Sequence, residues 1–192
     1  WKIDVFETYL IELGIDVSNI AANDWGNLEI TSNQDKNEVA LFDLVSKIVE
    51  EGKFPIGLGG EHSLTPSAVR ALHKKYPTLA VIILDAHLDF RKEYENNRLS
   101  HATVTRRVSE IVGVDNVRPI GIRSVSQSEI TEARSTGLKF IETYKKKYDI
   151  YAHVNKRKLS ITDIKRVKIN INNINELKNF TIKKKIQIII NF

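Results

Sequence analysis

The sequence predicts an α/β fold built around a mainly parallel β-sheet, and three observations support this class. Residues 79–84, LAVIIL, form an unbroken apolar run, which is typical of a strand buried on both faces of a parallel sheet. The segments FPIGL at 54–58 and VRPIGI at 117–122 have the length and composition of further strands. Helical patterns alternate with these segments, which is the order of βαβ units with right-handed crossovers.

The first two helices are marked by their apolar spacing and by their end signals. A helix is predicted over about 35–51, since apolar residues recur there at i, i+3 and i+4. Ser32 and Asn33 are both suited to cap it, and Gly52 suits the left-handed position after its end. A second helix is predicted from Thr65 as its cap to about residue 75, with a proline in its first turn.

The remaining elements follow from shorter signals. A third helix should run through Val112 and end at Gly113, and Ser126 with Glu129 forms a capping box for a fourth, which Gly137 closes. Three further predicted elements are a strand over 138–141, a short helix over 161–167 and a strand over 186–190.

The composition bounds the class of protein. With 192 residues, 42% hydrophobic and 28% charged, the chain fits one globular domain over residues 1–192. It contains no cysteine, which excludes disulfides and thiolate chemistry. It also has no apolar run near the roughly 20 residues that span a bilayer and no signal-peptide pattern. We therefore expect a cytoplasmic protein with no membrane partner.

The charge is unevenly distributed along the chain. Residues 1–142 contain 16 Lys+Arg and 21 Asp+Glu, whereas residues 143–192 contain 13 and 3. A basic C-terminal quarter is one way of contacting nucleic acid. We favour a solvated, Lys-rich surface or a weakly folded tail instead, because few aromatic residues lie among the basic ones and no nucleic-acid motif is present.

Three potential metal ligands follow the central strand at alternate positions. Asp85, His87 and Asp89 come directly after the run that ends at Leu84, and an extended chain turns every second side chain to one side. If the extension continues past Leu84, they converge beyond the carboxyl end of a strand, where open α/β sheets bind ligands. Two carboxylates and an imidazole suit Mn²⁺ or a similar ion. The alternative is structural: a capping aspartate and a core histidine.

A fourth potential ligand lies at the end of the preceding predicted strand. His62 follows a pair of glycines that let the backbone turn sharply, and it precedes the second helix. The βαβ reading therefore puts His62 at the same edge of the sheet as Asp85. Four ligands suit two ions about 3.5–4 Å apart, which implies metal-assisted hydrolysis. His101 lies in another strand-to-helix connection and is suited to moving a proton, although a surface or capping role is the alternative.

These residues lie in three motifs, which together with a fourth resemble the ureohydrolases, the family of arginases and agmatinases. The motifs are GGEHS (59–63), DAHLDFR (85–91), SHATVTRRV (100–108) and IGIRS (120–124), and the resemblance covers roughly residues 15–141. It implies a three-layer α/β/α fold with a mainly parallel sheet, two Mn²⁺ ions and hydrolysis of a guanidino group to urea and an amine. Residues 1–142 match the family well and residues 143–192 match it poorly.

The resemblance also implies roles for individual residues. His62, Asp85, His87 and Asp89 would be metal ligands, with Asp85 and Asp89 as candidates to touch both ions. Asp89 and His101 would be the catalytic residues, and His101 would lie beside the substrate and transfer a proton.

The motif details resemble agmatinases more than arginases, because Glu61 lies in GGEHS and SHAT is followed by TRRV. The implied reaction is agmatine to putrescine and urea, a step of polyamine biosynthesis. The alternatives are an arginase or a guanidinobutyrase acting on another small guanidino substrate. A homo-oligomer is implied by the resemblance alone.

The chain departs from the family where two further aspartate ligands are expected. The family has a later S-x-D-x-D motif, and this chain has IIINF (188–192), with Asn191 at the place of the first aspartate. We therefore expect the chain to correspond to the middle of a family member, lacking parts at both ends, and not to be fully active by itself. A non-catalytic, truncated homologue that acts as a binding subunit is the alternative to an active enzyme.

Overall fold

A four-stranded parallel sheet is the central element of the computed structural model, which describes residues 9–11, 14–16, 18, 21–143 and 186–190. Its strands are β3 (Ala80–Leu84), β4 (Val117–Ile122), β5 (Ile141–Glu142) and β6 (Ile186–Ile190). The order across the sheet is β5, β4, β3, β6. A separate antiparallel pair joins β1 (Tyr9–Leu10) to β2 (Ile15–Asp16). The predicted α/β class with a parallel sheet is confirmed.

The strand registers put three strand ends at one edge. In β3, Leu84 lies opposite Ile120 of β4 and opposite Ile190 of β6, and all three strands run in the same direction. The carboxyl ends of β3, β4 and β6 therefore lie at the same edge of the sheet. The strand predicted at 186–190 is confirmed, and β3 is the central strand that its apolar run predicts.

In the part of the chain that the structure describes, four helices connect or precede the strands. They are α1 (Gln34–Glu50), α2 (Thr65–Lys75), α3 (Val104–Val112) and α4 (Gln127–Ser135). The side chain of Asn33 accepts the Lys36 N–H at 3.0 Å and caps α1, and Gly52 after its end has φ +75°. Gly113 follows α3 at φ +88°, and Ser126 and Glu129 form the predicted capping box of α4. These end signals are confirmed.

The main core lies between these helices and one face of the sheet. Its buried residues include Val81 and Ile83 from β3 and Val49, Val69 and Val108 from three helices. A smaller cluster on the opposite face contains Ala80, Ile82 and Ile120. Because β3 alternates between two apolar clusters, an unbroken apolar sequence is what its position requires.

Residues 54–58 do not form the strand that their sequence predicts. The segment has no regular secondary structure, and Phe54, Ile56 and Leu58 are 71%, 79% and 96% exposed. In the described sheet β4 and β6 occupy both edges of β3, so residues 54–58 do not pair with that strand. The prediction of a buried strand before His62 is therefore wrong for the part of the chain that the structure describes.

Two smaller predictions also need correction. Thr65 is the first residue of α2 and not its cap, because a 3₁₀ turn, His62–Leu64, precedes the helix. Glu61 caps that turn by accepting the Ser63 N–H at 2.9 Å. The strand predicted over 138–141 is replaced by the two-residue strand β5, Ile141–Glu142. The helix predicted over 161–167 lies outside the described residues.

Among the described helices, none combines the length and the apolar character needed to cross a bilayer.

Burial affects the charge of one carboxylate between α1 and α2. Glu38 is 6% exposed, and its Oε2 lies 3.7 Å from a guanidinium nitrogen of Arg70. Burial raises the pKa of Glu38 above its usual value, and the nearby Arg70 charge offsets this only in part.

We expect Glu38→Gln to become relatively more stabilising as the pH rises. A carboxyl whose pKa is higher in the folded state binds more protons there, so its stabilising contribution is present at low pH. That contribution is lost as the pH rises through the folded-state pKa. Urea unfolding of both chains from about pH 4 to about pH 7, across the ordinary carboxyl range, measures this. A free-energy difference that stays constant with pH would contradict it.

Candidate metal centre

Three buried side chains meet at the carboxyl end of β3. The Nδ1 atom of His62 lies 3.0 Å from Oδ2 of Asp89 and 3.6 Å from Oδ2 of Asp85. One donor atom from each of the three lies within 4.8 Å of the others. Two carboxylates this close repel each other, and burial increases the cost of their charges. An imidazole and two carboxylates around one point form a donor set that suits a divalent cation.

His62 reaches this point from the 3₁₀ turn that leads into α2. Although residues 54–58 are not a strand, the turn puts His62 beside Asp85, as the sequence predicts. Asp85 is the first residue after β3, and its backbone N–H donates to Ile120 O at 3.1 Å. The sheet therefore fixes the backbone of Asp85, whereas the helix start fixes that of His62.

His87 takes a different position from its two neighbours. Its side chain is 63% exposed, and its Nδ1 lies 3.6 Å from Oδ1 of Asp85. Its backbone N–H donates to the same oxygen at 2.8 Å, and the chain bends at Ala86. The extended conformation therefore does not continue past Leu84, so alternate side chains do not all point the same way. The structure brings His87 next to Asp85 but leaves it outside the group of three.

Asp89 enters the group through an unusual backbone conformation. Its φ is +50°, in the left-handed region that non-glycine residues seldom occupy. Leu88 and Phe90 on either side are 0% and 2% exposed and lie in the main core. The two apolar neighbours anchor the loop, and the left-handed turn between them directs the carboxylate toward His62.

A bulge in β4 supports the backbone of Asp85. Leu84 pairs with Ile120 and His87 with Ser124, so three steps on one strand face four on the other. Gly121 lies in this interval with φ +98°, and a Cβ there would lie 3.1 Å from the carbonyl oxygen of Asp85. Glycine therefore allows a close approach that a side chain would obstruct.

His101 lies in a second 3₁₀ turn, His101–Thr103, which contacts the turn that contains His62. Its side chain is exposed, and its ring lies 5.6 Å from the ring of Tyr94, tilted by 60°. The guanidinium of Arg91 lies 5.2 Å from the same tyrosine ring. His101 therefore lies exposed on the turn beside that of His62, and its ring contacts Tyr94, whose ring also contacts Arg91.

The end of β6 lies at the same edge as the donor group. Because Ile190 pairs with Leu84, β6 ends beside the residue that precedes Asp85. Asn191, for which the resemblance to the family predicts an aspartate position, lies outside the described residues.

Two charged residues near the centre have no role in the sequence prediction. Glu129, which the sequence marks only as a helix cap, accepts the Phe90 N–H at 2.7 Å. Arg106 donates from Nε to the carbonyl of the same residue at 2.9 Å. Both are under 10% exposed. A buried charge cannot be recognised from local sequence, and the TRRV motif gives the one available hint for Arg106.

Charges on α3 and α4 interact around this loop. Burial favours a higher pKa for Glu132, but its hydrogen bonds and charge contacts with Lys92 and Arg106 prevail and hold the pKa below its usual value. Burial lowers the pKa of Arg107, and its pair with Glu110 opposes that effect. Each of these arginines has a carboxylate within 2.9 Å.

The sequence profile of the arginase family matches residues 2–163. The chain belongs to the arginase family. The agmatinase of Bacillus subtilis (strain 168) is 38% identical over 133 residues, which is 69% of this chain and 46% of that protein. The N(1)-aminopropylagmatine ureohydrolase of Thermococcus kodakarensis is 32% identical over 151 residues, or 76% of this chain and 49% of that protein.

Solved structures confirm the arginase-like fold of this family member. The agmatine ureohydrolase of Thermoplasma volcanium superposes with a TM-score of 0.72 at 31% identity, covering 98% of this chain and 56% of that one. The formimidoylglutamase of Bacillus subtilis has a TM-score of 0.73 at 23% identity, covering 95% and 54%. This arginase-family chain spans about half the length of the curated relatives it matches.

We expect Gly121→Ala to destabilise the fold and to weaken divalent-metal binding. The new Cβ would press on the carbonyl of Asp85, and overpacking of this kind costs about 1–3 kcal/mol. The left-handed backbone adds about 1–2 kcal/mol for any non-glycine residue. Urea unfolding and Mn²⁺ titration by calorimetry measure the two effects.

Gly137→Ala is the matched control for this substitution. Gly137 also has a positive φ, +81°, but a Cβ there meets nothing within 4 Å. It should lose stability from backbone strain alone and bind Mn²⁺ like the unsubstituted chain. Equal Mn²⁺ affinities in the two variants would show that the close approach at Gly121 does not support Asp85.

Proposed function

We propose that this chain forms part of a dimanganese ureohydrolase that converts agmatine to putrescine and urea. The observation that carries the proposal is the buried group of His62, Asp85 and Asp89, in a chain 38% identical to an agmatinase. The donors fit a divalent cation because two carboxylates supply negative charge and the imidazole supplies a nitrogen ligand.

His62, Asp85, His87 and Asp89 would hold the metal. When bound, Mn²⁺ supplies Lewis acidity and lowers the pKa of water, which favours attack on an electrophilic carbon near neutral pH. In this proposal Asp85 and Asp89 would supply the carboxylate ligands. His87 needs a rotation of its exposed side chain to join them, and its 3.6 Å contact with Asp85 puts it within reach.

His101 is proposed to transfer the proton that the reaction requires. Hydrolysis adds water to the guanidino carbon and breaks the bond to the amine, so the departing nitrogen must gain a proton. An imidazole is suited to this near neutral pH. The exposed position of His101, on a turn beside that of His62, supports its contact with a substrate that arrives from solvent.

Agmatine is the proposed substrate because two relatives are enzymes of agmatine or of its derivative. The B. subtilis relative is an agmatinase, and the T. kodakarensis relative acts on an aminopropyl derivative of agmatine. Arginine and guanidinobutyrate are the alternative small guanidino substrates. The proposed reaction is a step of polyamine biosynthesis in the cytoplasm. The proposed protein is a homo-oligomer that has no membrane or nucleic-acid partner.

The first test is urea release with Mn²⁺ present. We expect the whole protein of which this chain forms part to release urea from agmatine faster than from arginine or guanidinobutyrate. Asp89→Asn should reduce that rate by more than the roughly 10–100-fold that loss of an outer-shell partner costs, because it replaces a charged ligand by a neutral amide. A colorimetric urea assay measures each rate.

Asp115→Asn is the control, because it makes the same chemical change at an exposed residue of the 3₁₀ turn Val114–Asn116. Its rate should equal that of the unsubstituted chain. The enzymatic proposal would be refuted by a whole protein that binds Mn²⁺ but releases no urea from any of the three substrates.

We expect His101→Ala to separate proton transfer from metal binding. A general acid contributes about 10²–10⁴-fold to the rate, so kcat for urea release should fall within that range. The Mn²⁺ affinity should stay the same, since the side chain lies outside the buried donor group. If Mn²⁺ affinity falls together with kcat, His101 has a structural or ligand role instead.

A single-ion binding subunit is the second candidate function. It is favoured by the donor group itself, because one histidine and two aspartates are enough for one ion with open positions. Such a chain would act by associating with a complete partner. Calorimetric titration distinguishes the two functions, since two Mn²⁺ per chain favour the enzyme and one favours the binding subunit.

A further inference from the structure

We propose that Glu129 and Arg106 are positioning residues that hold Asp89 in its metal-binding conformation. The inference rests on the proposed function, because it concerns the affinity of the same metal centre. Both residues act on Phe90, which follows Asp89, and neither belongs to the buried donor group.

Asp89 needs support because its backbone is left-handed. A residue at φ +50° with a Cβ is strained, and such conformations persist where surrounding contacts impose them. A rotation of the backbone back to an extended conformation would turn the carboxylate away from His62. The neighbouring peptide groups must therefore be fixed from outside the loop.

Glu129 fixes the peptide group that joins Asp89 to Phe90. Its Oε1 accepts the Phe90 N–H at 2.7 Å, and the side chain is 6% exposed. A short hydrogen bond to a buried carboxylate is among the stronger ones in proteins. The first turn of α4 thereby holds the loop that leaves β3, 39 residues away along the chain.

Arg106 fixes two backbone carbonyl groups, those of Asp89 and Phe90. Its backbone N–H lies 3.4 Å from the carbonyl oxygen of Asp89, and its Nε donates to the carbonyl of Phe90 at 2.9 Å. The guanidinium also lies over the ring of Phe90, 4.4 Å from its centre. Glu132 anchors the far end of the guanidinium at 2.9 Å.

Opposite charges on two helices therefore hold successive backbone groups of one loop. The Asp89 C=O, the Phe90 N–H and the Phe90 C=O each have a partner on α3 or α4. Two of these three groups belong to the peptide that joins Asp89 to Phe90, so that peptide is held on one side of Asp89, and the burial of Leu88 holds the other side. These contacts restrict the backbone rotation that would redirect the Asp89 side chain. A purely structural role would predict a loss of stability alone, without a specific effect on metal affinity.

The experiment compares Glu129→Ala with Ser126→Ala in the full chain. Both substitutions remove half of the capping box of α4, because Ser126 Oγ accepts the Glu129 N–H at 3.3 Å. Only Glu129→Ala removes the bond to Phe90. Three measurements are needed: melting temperature, Mn²⁺ affinity by calorimetry, and hydrogen exchange of the Phe90 amide in the metal-free chain.

We expect both variants to melt at lower temperature. Glu129→Ala should bind Mn²⁺ about 10–100-fold more weakly, as is typical when an outer-shell partner is lost, and Ser126→Ala should keep the unsubstituted affinity. The Phe90 amide should exchange faster in Glu129→Ala than in Ser126→Ala. Equal Mn²⁺ affinities, or equal exchange of that amide, would overturn the proposal.

Glu129→Gln keeps an acceptor oxygen and serves where the alanine variant does not fold. Its affinity loss should be smaller, about threefold, since a neutral acceptor forms a weaker bond than a carboxylate. An unchanged affinity in that variant would overturn the proposal. An unsubstituted chain that binds no Mn²⁺ would refute the proposed function instead, and exchange of the Phe90 amide would then decide the positioning role by itself.

Discussion

The contact between His62 and Asp89 is the one on which the candidate centre depends. It joins the turn that enters α2 to the loop that leaves β3, two segments separated by 27 residues in the chain. Neither segment is part of the sheet. Their meeting therefore requires the correct packing of the turn before α2 and of the loop after β3. Burying an imidazole with two carboxylates is costly unless charges are balanced. A divalent cation bound at this point would stabilise the arrangement that the fold makes, and folding would then be coupled to metal binding.

Much of the fold follows from local sequence. The caps at Asn33 and Ser126 and the apolar run before Asp85 all correspond to features of the structure. The segment 54–58 does not, because an apolar run specifies a tendency toward burial but not the strand that will pair with it. In the described part of the chain, β4 and β6 already pair with both edges of β3.

The donor group could be predicted in part. Potential ligands at alternate positions after β3 predicted a group of Asp85, His87 and Asp89. Side chains at alternate positions share one side only in an extended chain. The bend at Ala86 and the left-handed Asp89 replace that extension, so His87 turns toward solvent while Asp89 turns inward. Contacts with α3 and α4 stabilise this path, and such long-range contacts leave no periodic signal in the sequence. The four motifs predicted family membership correctly.

The exposed stretch around Ile56 has a consequence for handling the chain. Phe54, Ile56 and Leu58 present large apolar side chains to water at every second position. Extended apolar segments of this kind promote strand addition between molecules, which leads to aggregation. The concentration at which the chain is refolded will therefore govern how much of it stays dispersed, and a lysine in place of Ile56 would act as a gatekeeper.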